Sequence, residues 1–417
     1  MKLRNPGTVA NIKWTADNKF KYVFFAYGAS IEGWKHCRPV MMVDATFLKS
    51  KYRGVLMIAV AKDGNNSIFP LAFGIADSEN NESYRWFFRH VKKVFGTRKD
   101  QSILSDRHSS IATAIKELYP DTQHGICIYH MEKNLQKYFP FEAILSLFYN
   151  AATTYKQAEF RTYMSQIQQI DPKAAEYIEE EPPERWARSF HTNRRYNMLT
   201  TNNRKLDATG PAHDLTCWAE KILLEKISRG FTMKVENITP VKFVVKDEGY
   251  QYNVDLKNMT CECLEFQTDE LPCTHAMTVI NKRSLPKSTY CADWFKKQVC
   301  QETYKGEILS VGNQDSWIIP QNIMDIKITP PDVKIRPGRK QTKDIAQEEN
   351  QQSTHTNVVD VSSLDTLGQP VTTVQLSIHI QEDTGRGNCI TVFAGENGKT
   401  KLVSQRLHPG KFNKCVP

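Results

Sequence analysis

The sequence predicts an α/β (α+β) fold, in which a mixed sheet is interrupted by an all-α insertion. A small cysteine-containing module and a largely disordered tail follow. Three observations predict this architecture: β-rich runs from Arg38 onward, amphipathic helices that alternate with strands, and a helical stretch without glycine over residues 131–178. With 40% apolar residues in 417, the chain can build a sizeable core and hold two or three domains.

The first elements are three strands, predicted over Pro39–Leu48, Gly54–Ala61 and Ile68–Ile75. Turn-forming residues separate these runs, and the clearest turn is Asp-Gly-Asn-Asn at residues 63–66. Because short turns join neighbouring strands of one sheet, we expect the three strands to be antiparallel.

Two helices and two further strands complete the predicted sheet. Apolar residues recur on one stripe of Glu82–Phe95, which is typical of an amphipathic helix packed on a sheet. A strand at Ser102–Ser105, a helix at Ser109–Leu118 and a strand at His124–Tyr129 then form a β-α-β sequence. The predicted order is β-β-β-α-β-α-β.

The rest of the chain divides by composition. Residues Met131 to Ile178 predict a bundle of helices interrupted by Pro140 and Pro172. After Pro330 large apolar residues become rare, which is typical of a low-complexity tail, although one late run (Val374, Leu376, Ile378 and Ile380) alternates as in a strand. The predicted units are a lead-in (1–37), the mixed core (38–130), the helical insertion (131–185), the end of the core (186–235), the cysteine module (236–285), a helical or loop extension (286–330) and the tail (331–417).

Charge and hydropathy narrow the class of protein. A formal charge of +9 suits a polyanionic partner, although many basic proteins never bind nucleic acid. We find no run of eighteen apolar residues and no signal-peptide pattern, so we expect a soluble intracellular chain. Three of the ten cysteines fall in one cluster, which favours metal ligation in a reducing compartment over a disulfide framework.

That cluster is Cys261-Glu-Cys263, followed after nine residues by Cys273-Thr-His275. Three thiolates and one imidazole in two close pairs are the ligands of a closed, tetrahedral zinc site. The alternative is that three buried cysteines and an unrelated histidine share this segment by chance. The spacing predicts structural zinc bound by all four residues.

Two carboxylates form a second candidate site, because Asp44 ends one predicted strand and Asp106 ends another. Carboxylates at the ends of neighbouring strands can hold two divalent cations, roughly 4 Å apart, that activate a phosphodiester. Such hard oxygen ligands suit magnesium or manganese. The alternative is structural, because aspartate is common in turns and at helix N-caps.

Several further motifs accompany these two acids in the sequence. They are Arg38–Gly54 (Arg-Pro-Val-Met-Met-Val-Asp-Ala-Thr-Phe-Leu-Lys-Ser-Lys-Tyr-Arg-Gly), Phe69–Phe73, Leu104–His108, and Cys127-x-x-His130 with Asn134. In this order and spacing they resemble the transposase domain of Mutator-like elements. The cysteine module resembles the SWIM-type zinc finger that follows this domain in the family, with strands Val241–Lys246 and Tyr250–Leu256 as its leading hairpin.

The resemblance implies a ribonuclease-H-like core, a D-D-E catalytic triad and a helical insertion before the third acid. Asp44 and Asp106 would be the first two acids, and Cys127 and His130 a pair beside them. Without the family, Cys127 reads as a buried thiol and His130 as an ordinary residue at a helix start.

The sequence departs from the family where the third acid is expected. Thr200-Thr-Asn-Asn203 is present, but Arg204-Lys205-Leu-Asp207 follows in place of the usual Glu-Ser-x-Asn. Asp207 is the nearest carboxylate. Losing one of three acids weakens cation binding, so we expect a DNA-associated protein without full transposase activity. An active transposase, a non-functional remnant and a misassembled gene model stay open as alternatives.

The resemblance also implies DNA as a partner, possible protein partners of the zinc finger, and a plant protein located in the nucleus. Candidate phosphate contacts are the basic residues Arg194, Arg195, Arg204 and Lys205, for which a solvated basic face is the alternative. The implied cofactors are structural zinc and, for a catalytic protein, magnesium or manganese.

Overall fold

The computed structural model describes residues 4–48, 53–191, 214–310 and 328–331, together with three strands between residues 375 and 406. The first seven strands form one sheet: β1 Val9–Trp14, β2 Phe20–Ala26, β3 Val40–Phe47, β4 Val55–Lys62, β5 Ile68–Ala76, β6 Ser102–Ser105 and β7 Gln123–Ile126. The order across the sheet is β1-β2-β5-β4-β3-β6-β7. Strands β3, β6 and β7 are parallel and the other neighbours antiparallel, so the predicted mixed sheet is confirmed.

Three helices accompany this sheet: α1 Gly28–Trp34, α2 Asn81–Phe95 and α3 Ser109–Leu118. Helix α2 begins at a capping box formed by Asn80 and Ser83. Its apolar stripe, including Phe87 and Val91, is buried in the main core with residues of the sheet. Local capping and a continuous apolar stripe therefore fix where this helix starts and which side it buries.

The predicted order β-β-β-α-β-α-β is confirmed, with two corrections. Residues 1–37, predicted as a lead-in, contribute β1, β2 and α1 to the sheet, because side chains such as Tyr22 and Phe24 are buried in its core. The predicted strand His124–Tyr129 ends at Ile126, since helix α4 begins at Ile128.

The helical insertion is also confirmed, as α4 Ile128–Tyr138, α5 Glu142–Thr153, α6 Gln157–Ile170, α7 Pro172–Glu179 and α8 Pro183–Trp186. Its core centres on Trp186, whose ring stacks on Phe148 at 5.2 Å. Pro172 occupies the first turn of α7 behind the cap Asp171, a position where proline costs no hydrogen bond.

The cysteine module contains α9 Cys217–Arg229, β8 Lys234–Asn237, β9 Lys242–Asp247, β10 Tyr250–Asp255, β11 Thr260–Cys261, α10 Glu265–Asp269, α11 Thr274–Lys282 and α12 Lys297–Thr303. Its four strands form a sheet in the order β11-β10-β9-β8. The module's core runs from Leu215 to Phe295, so it is larger than the predicted unit 236–285. Helix α9, assigned from sequence to the end of the mixed core, belongs to it.

A third sheet lies in the region predicted as a tail: β12 Gln375–Asp383, β13 Gly387–Glu396 and β14 Lys399–Arg406. The alternating run Leu376, Ile378 and Ile380, which predicted one strand, lies in β12. The two following strands were not predicted. Within the described part of the chain, no helix is long and apolar enough to cross a membrane.

Candidate functional site

The four predicted zinc ligands come together in the cysteine module. The ligand atoms of Cys261, Cys263, Cys273 and His275 all lie within 4.8 Å of one another. Cys261 ends the short strand β11, and Cys273 and His275 lie at the start of α11. Among the described residues, this is the one group of three or more such side chains found at that proximity.

Hydrogen bonds hold the two ligand loops in place. The Gln267 side chain accepts from the backbone N–H of Cys261 and donates to its carbonyl oxygen, both at 3.0 Å. The buried Lys226 ammonium donates to the Pro272 carbonyl oxygen at 2.9 Å and pairs with Glu265 at 2.8 Å. Because neutral and charged hydrogen bonds are strong in a low-dielectric interior, both loops are pre-organised for metal binding.

The electrostatics of the cluster favour a cation. Hydrogen bonds from the Cys261 and Cys273 thiols hold the pKa of Cys263 far below its usual range. Burial raises the pKa of Cys273, and the hydrogen bond to Cys263 raises that of Cys261 to about 12. The three cysteine side chains therefore interact closely with one another, and a divalent cation would take the place of their protons.

His275 is oriented from three sides. Its Nδ1 lies 3.6 Å from the Cys261 sulfur, and its Nε2 lies 3.4 Å from an Asp247 carboxylate oxygen. The Tyr252 ring stacks on the imidazole with 4.0 Å between centroids. Nδ1 therefore faces the cluster, while Nε2 faces the Asp247 carboxylate. Many zinc-bound histidines contact a carboxylate through their second ring nitrogen in this way. The four donor atoms, together with the contacts that orient His275, fit structural zinc.

Asp44 and Asp106 lie at the same edge of the large sheet, but Asp44 lies inside β3 rather than at its end as predicted, whereas Asp106 directly follows β6. Strands β3 and β6 are parallel and pair Met42 with Leu104, so each aspartate is two residues beyond this pair. Burial raises the pKa of Asp44, and the nearby Asp106 contributes to that rise. Asp106 accepts a hydrogen bond from the His108 backbone N–H at 3.0 Å, but His108 itself caps α3. The N-cap alternative for Asp106 is therefore wrong.

The Cys127–His130 pair adjoins these acids. A hydrogen bond with Cys127 is the main reason that the pKa of His130 is raised to about 9, and Asp44 and Asp106 add to the effect. Cys127 is buried immediately after β7, and His130 lies in the first turn of α4. The structure thus brings together all four side chains that the motifs singled out around the sheet edge.

Sequence reasoning missed one carboxylate at this edge. Glu79 precedes α2 and accepts a hydrogen bond from the Tyr84 hydroxyl at 2.7 Å. Glu79 also contributes to the raised pKa of Asp44. Asp44 and Asp106 in turn contribute to the raised pKa of Tyr84. An acid directly before the N-cap Asn80 was the available signal, but only the folded sheet brings it beside Asp44.

Known families match both sites. Residues 40–134 match the MULE transposase domain, and residues 250–284 match the SWIM zinc finger. The predicted resemblance to both families is confirmed, and the two matching segments are named the MULE domain and the SWIM finger. Asp44, Asp106, Cys127 and His130 lie within the first match, and all four cysteine and histidine ligands lie within the second.

Curated relatives agree with this assignment. The chain is 23% identical over 137 residues to Protein FAR1-RELATED SEQUENCE 4 and 22% over 139 residues to Protein FAR-RED IMPAIRED RESPONSE 1, both from Arabidopsis thaliana. These alignments cover 33% of this chain and 19% and 17% of the relatives. The Staphylococcus aureus transposase for insertion sequence element IS256 is 24% identical over 104 residues, 23% of this chain and 26% of that protein.

The cysteine module is docked on the large sheet through the turn at residues 63–66. The Thr216 hydroxyl donates to the Gly64 carbonyl oxygen, and the Trp218 backbone N–H donates to the Asn65 side chain, both at 2.9 Å. A Cβ atom at Gly64 would lie 1.7 Å from the Trp294 carbonyl oxygen, so only glycine allows this approach. The predicted turn therefore also serves as an interface.

Arg38 is buried at the same interface. Its guanidinium lies 4.8 Å from the Trp218 ring and 5.1 Å from the Phe295 ring, and burial lowers its pKa to about 10. Such cation–π contacts are strongest when desolvated. On the other side, Tyr155 of the helical insertion donates to Asp269 of the finger at 2.7 Å. The SWIM finger thus contacts both the sheet and the insertion.

The remaining predicted residues fall at positions 192–213, outside the described residues. They are the basic residues Arg194, Arg195, Arg204 and Lys205 and the candidate third acid Asp207.

Proposed function

We propose that this protein is a transposase-derived, zinc-binding nuclear protein that associates with DNA and lacks full transposase activity. The observation that carries the proposal is the cysteine–histidine cluster, formed within a SWIM finger that packs on a MULE domain. The likeness to a transposase for an insertion sequence element supports DNA association, and nuclear location is proposed from the family resemblance. The absence of Glu-Ser-x-Asn from the sequence supports a non-catalytic role.

In this proposal Cys261, Cys263, Cys273 and His275 hold zinc, which supplies a structural cross-link rather than chemistry. The ligands join the end of β11 to the start of α11, and the small finger gains the stability that its limited apolar core cannot supply alone. The finger can also contact protein partners. The seven-stranded sheet and its buried core support a folded protein rather than a non-functional remnant.

The test measures zinc content and DNA binding of the full chain. We expect bound zinc, duplex binding that weakens with rising salt, and no strand cleavage in manganese. Cys273→Ser should lose the zinc. Cys291→Ser is the matched control, because Cys291 is buried in the same module but bonds to the Lys287 carbonyl oxygen instead. The proposal is wrong if the native chain holds no zinc, or if the zinc-loaded native chain binds no duplex.

The second candidate is an active Mutator-like transposase that uses magnesium or manganese. It is favoured by the position of Asp44 and Asp106 at one sheet edge, beside the Cys127–His130 pair. These two acids would hold the cations, which supply two-metal phosphodiester activation when bound. The third carboxylate would come from Asp207 or from Glu79, which also influences Asp44.

Cleavage assays separate the two candidates. Manganese-dependent cutting of DNA that disappears in Asp44→Ala would establish the transposase. If Glu79→Gln abolishes that cutting while Asp207→Asn does not, Glu79 is the third acid. Urea denaturation followed by tryptophan fluorescence is the control for folding of each variant.

A further inference from the structure

Helix α4 has two different sides. Its apolar residues Ile128, Met131 and Leu135 are buried in or against the insertion core. The outer side carries four exposed side chains that recur at helical spacing, here named the α4 track: Lys133, Asn134, Lys137 and Tyr138. Residues three and four apart share one face of a helix, so these four form a continuous strip.

The α4 track begins at the acidic site. His130 lies three and four residues before Lys133 and Asn134, and therefore on the same helical face. Its imidazole interacts with both Asp44 and Asp106. A polymer lying along the track would consequently pass directly beside the two carboxylates.

A further cation lies next to the outer end of the track. The Arg107 guanidinium is 5.2 Å from the Tyr177 ring, and that ring is 5.7 Å from the ring of Tyr138. Arg107 directly follows Asp106 in the chain. The positive charge of the track is thus extended across the gap between the sheet edge and the insertion.

The two lysines of the track form no ion pair with a described residue, although the neighbouring Glu132 carboxylate interacts electrostatically with Lys133. Lys133 donates to the Gln136 amide oxygen at 2.9 Å, and the Lys137 ammonium lies 5.2 Å from the Tyr138 ring. Neither lysine makes an ion pair with any residue in the part of the chain that the structure describes. Cations held near aromatic rings and left without acidic partners are suited to an external polyanion.

We infer that the α4 track binds the phosphate backbone of duplex DNA and directs it past the acidic edge of the sheet. Lysine, asparagine and tyrosine side chains are common donors to phosphate oxygens. Lys133 and Lys137 are separated by about 6 Å along the helix axis. That is close to the axial rise of two nucleotides in one strand, at about 3.4 Å each. The inference rests on the proposed DNA association and assigns it to a surface other than the predicted basic cluster.

The test compares two double variants of the zinc-loaded full chain. Lys133→Ala/Lys137→Ala removes the track cations, while Lys93→Ala/Lys99→Ala removes two exposed lysines elsewhere and changes the charge equally. Alanine keeps helix α4 intact because it has the highest helix propensity. Binding of a short random-sequence DNA duplex is measured by fluorescence anisotropy over a series of salt concentrations.

We expect the track variant to bind roughly tenfold more weakly at low salt and its log–log salt slope to fall by about 2, one phosphate contact for each lysine. The control should keep the native affinity and slope within error. If the native chain binds DNA and the two variants behave alike, the inference is wrong although the proposed function stands. If the native chain binds no duplex, the inference and the proposed DNA association are both wrong. Tighter binding of an RNA duplex through the same lysines would overturn DNA as the partner.

Discussion

The zinc cluster and the acidic edge are built in opposite ways. The four zinc ligands lie between residues 261 and 275, within one turn, one short strand and the start of one helix. The acidic edge gathers Asp44, Glu79, Asp106 and His130 from separate elements around the sheet. A local cluster can be held by the metal that it binds, whereas a dispersed one exists only once the sheet has formed. The two sites should therefore respond differently to the same perturbation.

Metal removal should have the largest effect and should be confined to the SWIM finger. Structural zinc contributes about 10–16 kcal/mol in zinc-finger peptides, because metal binding is coupled to folding. We expect a chelator, or Cys273→Ser, to abolish cooperative unfolding of the finger and to expose its amides to hydrogen exchange. The same amides should stay protected in Cys291→Ser. Full protection of the finger in the metal-free protein would show that zinc is not structural.

Arg38→Ala should have the next largest effect, because it affects both regions. The buried guanidinium lies between Trp218 and Phe295, and its loss removes two desolvated cation–π contacts and leaves a cavity. We expect the free energy of unfolding to fall by about 3 kcal/mol. Urea denaturation followed by tryptophan fluorescence measures this, with exposed Lys93→Ala as the neutral reference. A change below about 0.5 kcal/mol would mean that the two domains do not stabilise each other.

Asp247→Asn should weaken the zinc site without unfolding the chain. The Asp247 carboxylate lies 3.4 Å from His275 Nε2, and partners of this kind typically change metal affinity 10- to 100-fold. Competition with a chromophoric chelator gives the affinity directly. The control is Glu236→Gln, which removes an exposed acid paired with Lys246 on the same sheet. Equal affinities in the two variants would exclude a role for Asp247 in orienting His275.

The smallest expected effect is a pH dependence that belongs to the acidic edge alone. The pKa of His130 is raised from 6.5 to about 9, so its protonated form stabilises the folded state. That contribution is complete below about pH 6.5 and is lost as the pH rises to about 9, which amounts to ~1 kcal/mol after solvent screening. His130→Gln should flatten the dependence of stability on pH over this range. Cys127→Ala should narrow the pH range, because it removes the hydrogen bond that raises the pKa of His130 most. An unchanged slope in both variants would contradict the assigned hydrogen bond.

The sequence predicted the secondary-structure elements better than it predicted which elements pack against one another. The strands from β3 to β6, helices α2 and α3, and the helical insertion follow from turn residues and apolar periodicity, which are local signals. Strands β1 and β2 were missed, although Tyr22, Phe24 and Phe25 of β2 are buried, because their place in the sheet depends on the pairing of β2 with the distant β5. For the same reason helix α9 was assigned to the wrong unit, since its apolar face packs on residues up to Phe295.

By itself, the sequence determined the four-residue zinc cluster and the position of Asp106 directly after a strand, whereas the prediction that Asp44 ends a strand was wrong because β3 continues to Phe47. Those features depend on spacing along a few residues, where local geometry leaves little freedom. Only the tertiary structure decided that Glu79 lies beside Asp44, that Arg38 is enclosed by aromatic rings of the SWIM finger, and that α4 presents unpaired lysines next to the acids. Contacts between distant segments depend on how whole elements bury their apolar faces, and no local pattern in the chain encodes that choice.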